Sequence, residues 1–249
     1  ASSFRMANEG VIDLEKTSPG IPDNVYIYAA GNISVLSESN IYNNGYSGED
    51  GAIINGNIKM VSGGSILFKG IVTDGPGSAG TGISGGNIYL YSEGPLKLTD
   101  ESHVSGYSAP NPTVSTISSA NSVSVSNGSQ IRIGSGFYDS STASLSIRAD
   151  SLIMSGAGTL IYVASGINPR LNIFSEKGVS MIDGSKMYLA SYGGTPPTAN
   201  VFTRGGLILQ GGSGIYTLSY DQASASSTPA GDIMIHSEYI YLDKGFLVS

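Results

Sequence analysis

The stretch Gly86-Asn87-Ile88-Tyr89-Leu90 decides the fold of this chain, because variants of it recur along the sequence. Gly56-Asn57-Ile58-Lys59-Met60 and Gly231-Asp232-Ile233-Met234-Ile235 repeat its pattern of a turn followed by two apolar residues separated by one. Weaker copies begin near Val25, Val123, Leu145, Leu171 and Val201. These about eight copies start roughly 22 to 35 residues apart, which is typical of solenoid repeats. A repeat this short cannot bury its own apolar face, so we expect successive copies to stack.

Each copy predicts strands with one apolar face, since side chains alternate across a strand. The predicted inward pairs of the first strand are Val25/Ile27, Ile58/Met60, Ile88/Leu90, Val123/Val125, Leu145/Ile147, Leu171/Ile173, Val201/Thr203 and Ile233/Ile235. The pairs of a second strand are Ile33/Val35, Ile66/Phe68, Leu96/Leu98, Ile131/Ile133, Leu152/Met154, Val179/Met181, Leu207/Leu209 and Ile240/Leu242. A third apolar step follows in several copies, at Ile41, Val104, Leu160, Met187/Leu189, Ile215 and Phe246/Val248.

This pattern predicts an all-β fold, a single-stranded parallel β-helix (β-solenoid) of about eight coils. A βαβ array is excluded because its strands are apolar on both faces and alternate with helices. The preference for right-handed crossovers predicts a right-handed coil. The repeat phase resumes after each polar insertion, so residues 1–249 are interpreted as one domain. The predicted loop insertions are Asn43–Asn55, Gly70–Gly85, Gly106–Ala120, Gly193–Asn200 and Ser219–Ala230.

Composition excludes several classes of function. The net charge is −7 with only 12 Lys and Arg, so non-specific nucleic-acid binding, which needs cations against phosphate, is not expected. No apolar run is long enough to predict a membrane span. The chain has no Cys, which excludes disulfides and thiolate metal sites. Low Lys content, an acidic balance and a start at Ala1, as in a processed mature form, predict a secreted extracellular protein.

The stretches Gly86–Leu90, Leu96–Asp100 and Ser102–Gly106 together resemble the filamentous-haemagglutinin-like β-helices of secreted bacterial surface proteins. They are similar to that family in a Gly-Asn-Ile opening, a Leu-x-Leu step and a Ser-x-Val closure. The openings at Gly56–Ser62 and Gly231–Ser237 repeat the likeness. The resemblance implies a right-handed β-helix exported to the cell surface, with a role in adhesion, matrix or filament building.

The ionisable residues do not form a recognisable catalytic set. The acids, which include Asp100, Glu101, Asp150, Glu176 and Asp183, fall mostly at turns, where carboxylates commonly stabilise the backbone. Asp100-Glu101 with His103 is the densest titratable group, and we expect Glu101 and His103 to flank a turn and face solvent. His236 is predicted to lie outward, and Gly48–Gly51 to form an acidic turn rather than a calcium site. The sequence therefore predicts no cofactor, no metal and no enzymatic activity.

Two surfaces are candidates for contact with partners. The strand phase points Tyr26, Tyr28, Tyr89, Tyr91 and Tyr188 outward, as exposed aromatic surface that contacts a protein or sugar rings. The alternative is that these tyrosines merely favour strands and are covered by the loops. Both ends have the pattern of uncapped strands, which predicts either a fragment of a longer β-helix or head-to-tail self-association of copies. The predicted end residues are Phe4, Val11, Ile12, Leu14, Tyr239, Ile240, Tyr241, Leu242, Phe246 and Val248.

These features predict an extracellular structural protein whose copies associate into a surface filament, sheath or matrix fibre. One alternative with the same fold is an adhesin segment that binds glycans or a host surface. A second alternative, from a different class, is a polysaccharide lyase or hydrolase with a groove lined by the long loops.

Overall fold

In the computed structural model, every regular element of the described residues is a β-strand, and the strands stack as a β-solenoid. The structure describes residues 2–13, 24–37, 39–43, 56–70, 82–108, 111–135, 141–193, 195–220 and 231–249. Each recorded pairing between strands is parallel. The predicted all-β parallel solenoid is thus confirmed, while its handedness and its number of coils stay predictions.

The strands form three faces, which the chain visits in turn. The first face contains β3 (Val25–Ala29), β6 (Ile58–Ser62), β9 (Ile88–Ser92), β12 (Thr113–Ser119), the first halves of β15 (Ala143–Ser155) and β17 (Arg170–Ile182), β19 (Thr198–Thr203) and β22 (Asp232–His236). The second face contains β1 (Phe4–Met6), β4 (Ile33–Leu36), β7 (Ile66–Lys69), β10 (Leu96–Thr99), β13 (Ser122–Ser126), the second halves of β15 and β17, β20 (Gly206–Gln210) and β23 (Tyr239–Asp243). The third face contains β2 (Val11–Asp13), β5 (Asn40–Tyr42), β8 (Gly82–Gly85), β11 (His103–Ser108), β14 (Gln130–Ser135), β16 (Leu160–Ser165), β18 (Lys186–Ser191), β21 (Gly214–Ser219) and β24 (Phe246–Val248).

The core is a set of aliphatic columns that run along the solenoid axis. One column of the first face joins Leu90, Ile117, Ile147 and Ile173, which lie opposite each other in neighbouring strands and are almost fully buried. Most predicted inward pairs of the first and second strands occupy such columns and are buried, as the sequence pattern predicted. Stacking like side chains in register allows each coil to bury a face that it could not bury alone.

Buried hydroxyl groups occupy the corners between the faces. At the first corner, Ser62 donates a hydrogen bond to the backbone oxygen of Gly31 at 2.7 Å, and Ser175 donates to that of Asp150 at 2.9 Å. At the second corner, the side chains of Ser185 and Ser213 lie 3.4 Å apart. The hydroxyls of Ser62, Ser175 and Ser185 satisfy backbone oxygens near the corners, since Ser185 also donates to the Met154 oxygen at 3.3 Å.

The predicted strand order is wrong in one coil. Val123 and Val125 were expected in a first strand, but β13 pairs with β10 and with the second half of β15, which places it on the second face. Ile131 and Ile133 were expected in a second strand, but β14 pairs with β11 and β16 on the third face. The first-face strand of this coil is β12, which lies inside the predicted loop Gly106–Ala120.

β12 was not predicted from the sequence because most of its inward side chains are polar. Its inward positions hold Thr113 and Ser115, which are buried, and only one aliphatic residue, Ile117. Two further predicted loops also contain strand residues, since β8 lies at the end of Gly70–Gly85 and β19 begins within Gly193–Asn200. Of the remaining predicted loops, Asn43–Asn55 and Ser219–Ala230, the structure describes only Asn43, Ser219 and Tyr220. Gly48–Gly51 also lies outside the described residues.

The residues predicted to point inward are also wrong in two strands of the third face. In β16 the inward residue at this step is Ile161, which pairs with the buried Ile131, whereas the predicted residue, the adjacent Leu160, is only partly buried. In β24 Leu247 pairs with the buried Ile215, so Leu247 holds the inward register in place of Phe246 and Val248. Both strands carry adjacent apolar residues, and a period-two pattern cannot tell which of two neighbours points inward.

Candidate binding surfaces

A cluster of tyrosines covers part of the outer side of the third face. Tyr162, Tyr188 and Tyr216 lie opposite each other in β16, β18 and β21, so their rings form one outward column. The ring centroids are 5.9 Å apart between the first two and 6.0 Å apart between the last two. Because the neighbouring rings lie over both faces of Tyr188, its ring presents only an edge to solvent, which does not suit stacking against a sugar ring.

A second pair of rings completes the tyrosine cluster. The rings of Tyr192 and Tyr220 stack with centroids 5.5 Å apart. The hydroxyl oxygens of Tyr162 and Tyr192 are 3.0 Å apart, and those of Tyr188 and Tyr220 are 3.3 Å apart. Ala164 and Ala190 are buried although they lie outside the hydrophobic core, because the rings cover this part of the sheet. The two alanines lie two residues after Tyr162 and Tyr188 in the strands. Of these five tyrosines the sequence analysis identified only Tyr188.

The environment of the cluster disfavours ionised phenols. Burial, the hydrogen bond to Tyr220 and the neighbouring phenols raise the pKa of Tyr188 to about 12. Burial and the hydrogen bond to Tyr192 raise the pKa of Tyr162 further above its ordinary value. Burial disfavours the charged phenolate, and ionised phenols in one cluster would repel one another, so the neutral form is favoured.

We expect this cluster to make the protein sensitive to alkaline pH. The unfolded chain releases the phenol protons near pH 10, whereas folded Tyr188 holds its proton to about pH 12. The stabilisation is therefore complete below about pH 10 and is lost as the pH rises through about 12. Urea unfolding measured at rising pH should show this loss, and Tyr188→Phe should reduce its slope. An unchanged slope in Tyr188→Phe would contradict the role given to this phenol.

A cleft of about 590 Å³ lies beside the tyrosine cluster on the third face. Its lining residues are Tyr42, Glu101, Ser102, His103, Val104, Ser105, Gly128, Gln130, Arg132, Ala157 and Gly158. Arg132 is exposed and pairs in register with Tyr162, so the cleft and the cluster are continuous. The Arg132 Nε donates a hydrogen bond to Gln130 Oε1 at 2.6 Å, which fixes the guanidinium plane.

His103 is less exposed than the sequence predicted. Glu101 lies on an exposed turn with a positive φ of 60°, as expected for a turn residue. His103, however, is half-buried as the first residue of β11 and lines the cleft. Burial, and then the positive charge of Arg132, lower the pKa of His103. The imidazole is thus neutral at pH 7 and can donate or accept a hydrogen bond.

A second aromatic column follows the outer side of the first face. Phe174 and Phe202 stack with centroids 5.4 Å apart, and His236 stacks on Phe202 at 5.0 Å. The Arg148 guanidinium lies 4.8 Å from the Phe174 centroid at the other end of the stack. His236 is outward and exposed, as predicted. Ion pairs flank the stack, with 2.7 Å between Lys177 and Asp150 and 2.8 Å between Arg204 and Glu176.

The predicted tyrosines of the first face are exposed. Tyr26 and Tyr28 expose 58% and 54% of their surface, and Tyr89 and Tyr91 each expose 37%. The rings of Tyr26 and Tyr28 stack with centroids 6.4 Å apart, and the Lys59 Nζ lies 5.8 Å from the Tyr28 centroid. The structure therefore places these four away from Tyr188, on a different face. Their contact with a partner stays a prediction.

The strands β22, β23 and β24 form one end of the described solenoid, which we call the β22–β24 surface. Ile240 and Leu242 pair with the buried Leu207 and Leu209, yet each exposes 48% of its surface. Leu247 exposes 37% although its partner Ile215 is buried. Tyr239, Tyr241, Phe246 and Val248 are exposed as well. At the opposite end Phe4 and Ile12 are partly buried and Val11 is exposed, and Leu14 lies outside the described residues.

The described ranges contain neither a cluster of metal-ligating side chains nor a membrane-spanning helix. Across that part of the chain, no three His, Asp or Glu side chains are grouped as metal ligands would be. No helix there has the length and apolar character needed to cross a bilayer.

Comparisons with known proteins add no identification. No family model matches the chain, and no curated protein or solved structure matches it. The fold agrees with a β-helix repeat protein, while the resemblance to filamentous-haemagglutinin-like proteins rests on the sequence motifs alone.

Proposed function

We propose that this chain is an extracellular structural β-solenoid whose copies associate end to end through the β22–β24 surface. The observation that carries the proposal is the exposure of Ile240, Leu242 and Leu247 in the register of the buried core. Full burial of one such side chain is worth about 1.5–3 kcal/mol. A further coil placed on this surface would bury all three and would also pair the free edges of the strands.

The first strands of a second copy fit this surface in register. The core columns of the second face run from Phe4 to Ile240 and from Met6 to Leu242 through successive strand pairs. If β1 of a second copy continues these columns on β23, its Arg5 lies over the ring of Tyr241, which favours a cation–π contact. This contact is heterologous and can therefore propagate into a fibre.

The third face extends the same contact. Its core column runs from Ile12 to Leu247, so β2 of the second copy would continue on β24. In this arrangement no described strand of the second copy lies opposite β22. The first described strand of its first face, β3, follows β2 in the chain and so belongs to the next coil. The proposed interface therefore uses two of the three faces.

The proposed setting is the bacterial cell surface or the surrounding matrix. The acidic, lysine-poor composition and the motif resemblance support secretion. In this proposal the chain acts by assembly into a filament, sheath or matrix fibre, and not by catalysis.

Leu242→Asp is expected to abolish the association. Leu242 is exposed in a single copy, so the charge should leave the fold intact while opposing burial against a second copy. Multi-angle light scattering over a concentration series should show a rising mass for the wild type and a constant 25.6 kDa for the variant.

Ile153→Asp is the matched control. Ile153 is also an exposed aliphatic residue, at 40%, but it lies in the middle of the second face. It should assemble like the wild type. A wild type that stays at 25.6 kDa throughout, or a Leu242→Asp variant that assembles normally, would overturn the proposal.

A further inference from the structure

We infer that the cleft beside Arg132 binds the carboxylate group of an acidic sugar, such as a uronate unit of a polysaccharide. This inference does not rest on end-to-end association, because the cleft lies on the third face, far in sequence from the β22–β24 surface. Its volume of about 590 Å³ falls within the range of small-molecule sites and is open enough for part of a longer glycan.

Arg132 provides the feature that recognises a carboxylate. Its Nε is held by Gln130, so the guanidinium plane is set before a ligand arrives. A planar guanidinium donates paired hydrogen bonds to a carboxylate, and such charge-assisted bonds are about twice as strong as neutral ones. Preorganisation also lowers the entropy lost on binding.

The opposite side of the cleft suits the hydroxyl groups of a sugar. Glu101 lies on the corner turn that precedes β11, whereas Arg132 lies two residues into β14. The cleft thus carries a carboxylate at its corner side and a guanidinium at its strand side. A ligand with one carboxylate and several hydroxyl donors matches this division, since hydroxyls can donate to Glu101 while the acid group faces Arg132.

The groups between these two charges fit the same ligand. The neutral imidazole of His103 and the hydroxyl of Ser105 offer donors and acceptors to ring hydroxyls. Tyr42 and Ala157 add apolar surface for the C–H side of a sugar ring. A mixed lining of a few polar groups and apolar surface is typical of sites for small polar ligands.

Titration calorimetry with digalacturonate tests the inference, with galactobiose of the same linkage as the neutral probe. We expect saturable binding of digalacturonate and binding of galactobiose that is at least about tenfold weaker, because the charge-assisted bonds are missing. Arg132→Gln should lower the affinity for digalacturonate to that for galactobiose. Because Arg132 is exposed, this variant should fold normally, which circular dichroism can verify.

Arg148→Gln is the matched control, since Arg148 is also exposed but lies on the first face. It should bind digalacturonate like the wild type. The inference is wrong if the wild type binds neither probe at millimolar concentration, if both probes bind equally, or if Arg132→Gln leaves the affinity unchanged.

Discussion

Ile88→Asp is expected to destroy the cooperative fold. Ile88 is fully buried and pairs with Ile58 in the core of the first face. Aspartate at this position loses the apolar contacts and places a carboxyl group among the buried aliphatic side chains of the core. We expect a loss of about 4 kcal/mol or more, which is a large part of the stability of an ordinary domain. Urea unfolding followed by far-ultraviolet circular dichroism measures the effect.

Tyr89→Asp provides the control for the same strand. Tyr89 is the next residue, and it points outward with 37% of its surface exposed. This variant should keep a cooperative transition with a stability within about 1 kcal/mol of the wild type. Equal losses in the two variants would show that the assigned inward phase of β9 is wrong.

Gly205→Ala is expected to have the second largest effect. A Cβ atom at Gly205 would overlap the backbone oxygen of Lys177 in the neighbouring coil. Backbone cannot move aside as a flexible side chain can, so the two coils must separate at this corner. The separation would strain the hydrogen bond from the Arg204 N–H to the Ser175 oxygen, now 3.1 Å. We expect a loss of about 3 kcal/mol in urea unfolding.

Gly10→Ala is the matched control for this steric argument. The nearest atom to a Cβ at Gly10 lies at 3.5 Å, which is an ordinary contact. Alanine there should leave the midpoint of unfolding nearly unchanged. If Gly205→Ala unfolds at the same urea concentration as Gly10→Ala, the close approach of the coils at Gly205 is not present in solution.

The sequence predicted those parts of the fold in which aliphatic residues alternate. Leu145 and Ile147 point inward in β15, as predicted, and so do Leu171 and Ile173 in β17. β12 could not be predicted in this way, because Thr113 and Ser115 satisfy the inward register with small hydroxyl side chains. A search for alternating apolar residues cannot detect a strand whose buried residues are mostly Ser and Thr.

The binding surfaces were predicted less completely than the fold. The tyrosine cluster depends on which coil lies beside which, and Tyr162 and Tyr192 meet only because β16 and β18 are neighbours. The recurrence of Tyr162, Tyr188 and Tyr216 at about one-coil spacing was the available signal. The cleft had a weaker signal, since nothing local in the sequence relates Arg132 to His103.

Cysteine cross-linking tests the proposed end-to-end association most directly, because the chain has no Cys of its own. Arg5→Cys protein is mixed with Tyr241→Cys protein under mild oxidation. Neighbouring parallel strands place opposed Cα atoms about 4.8 Å apart, which a disulfide can bridge. The control mixes Tyr241→Cys with Lys97→Cys, which lies in the same outward column in the middle of the solenoid. We predict a cross-linked pair for Arg5 with Tyr241 and none for the control. Absence of the pair at all concentrations, or equal yields in both mixtures, would contradict the proposed interface.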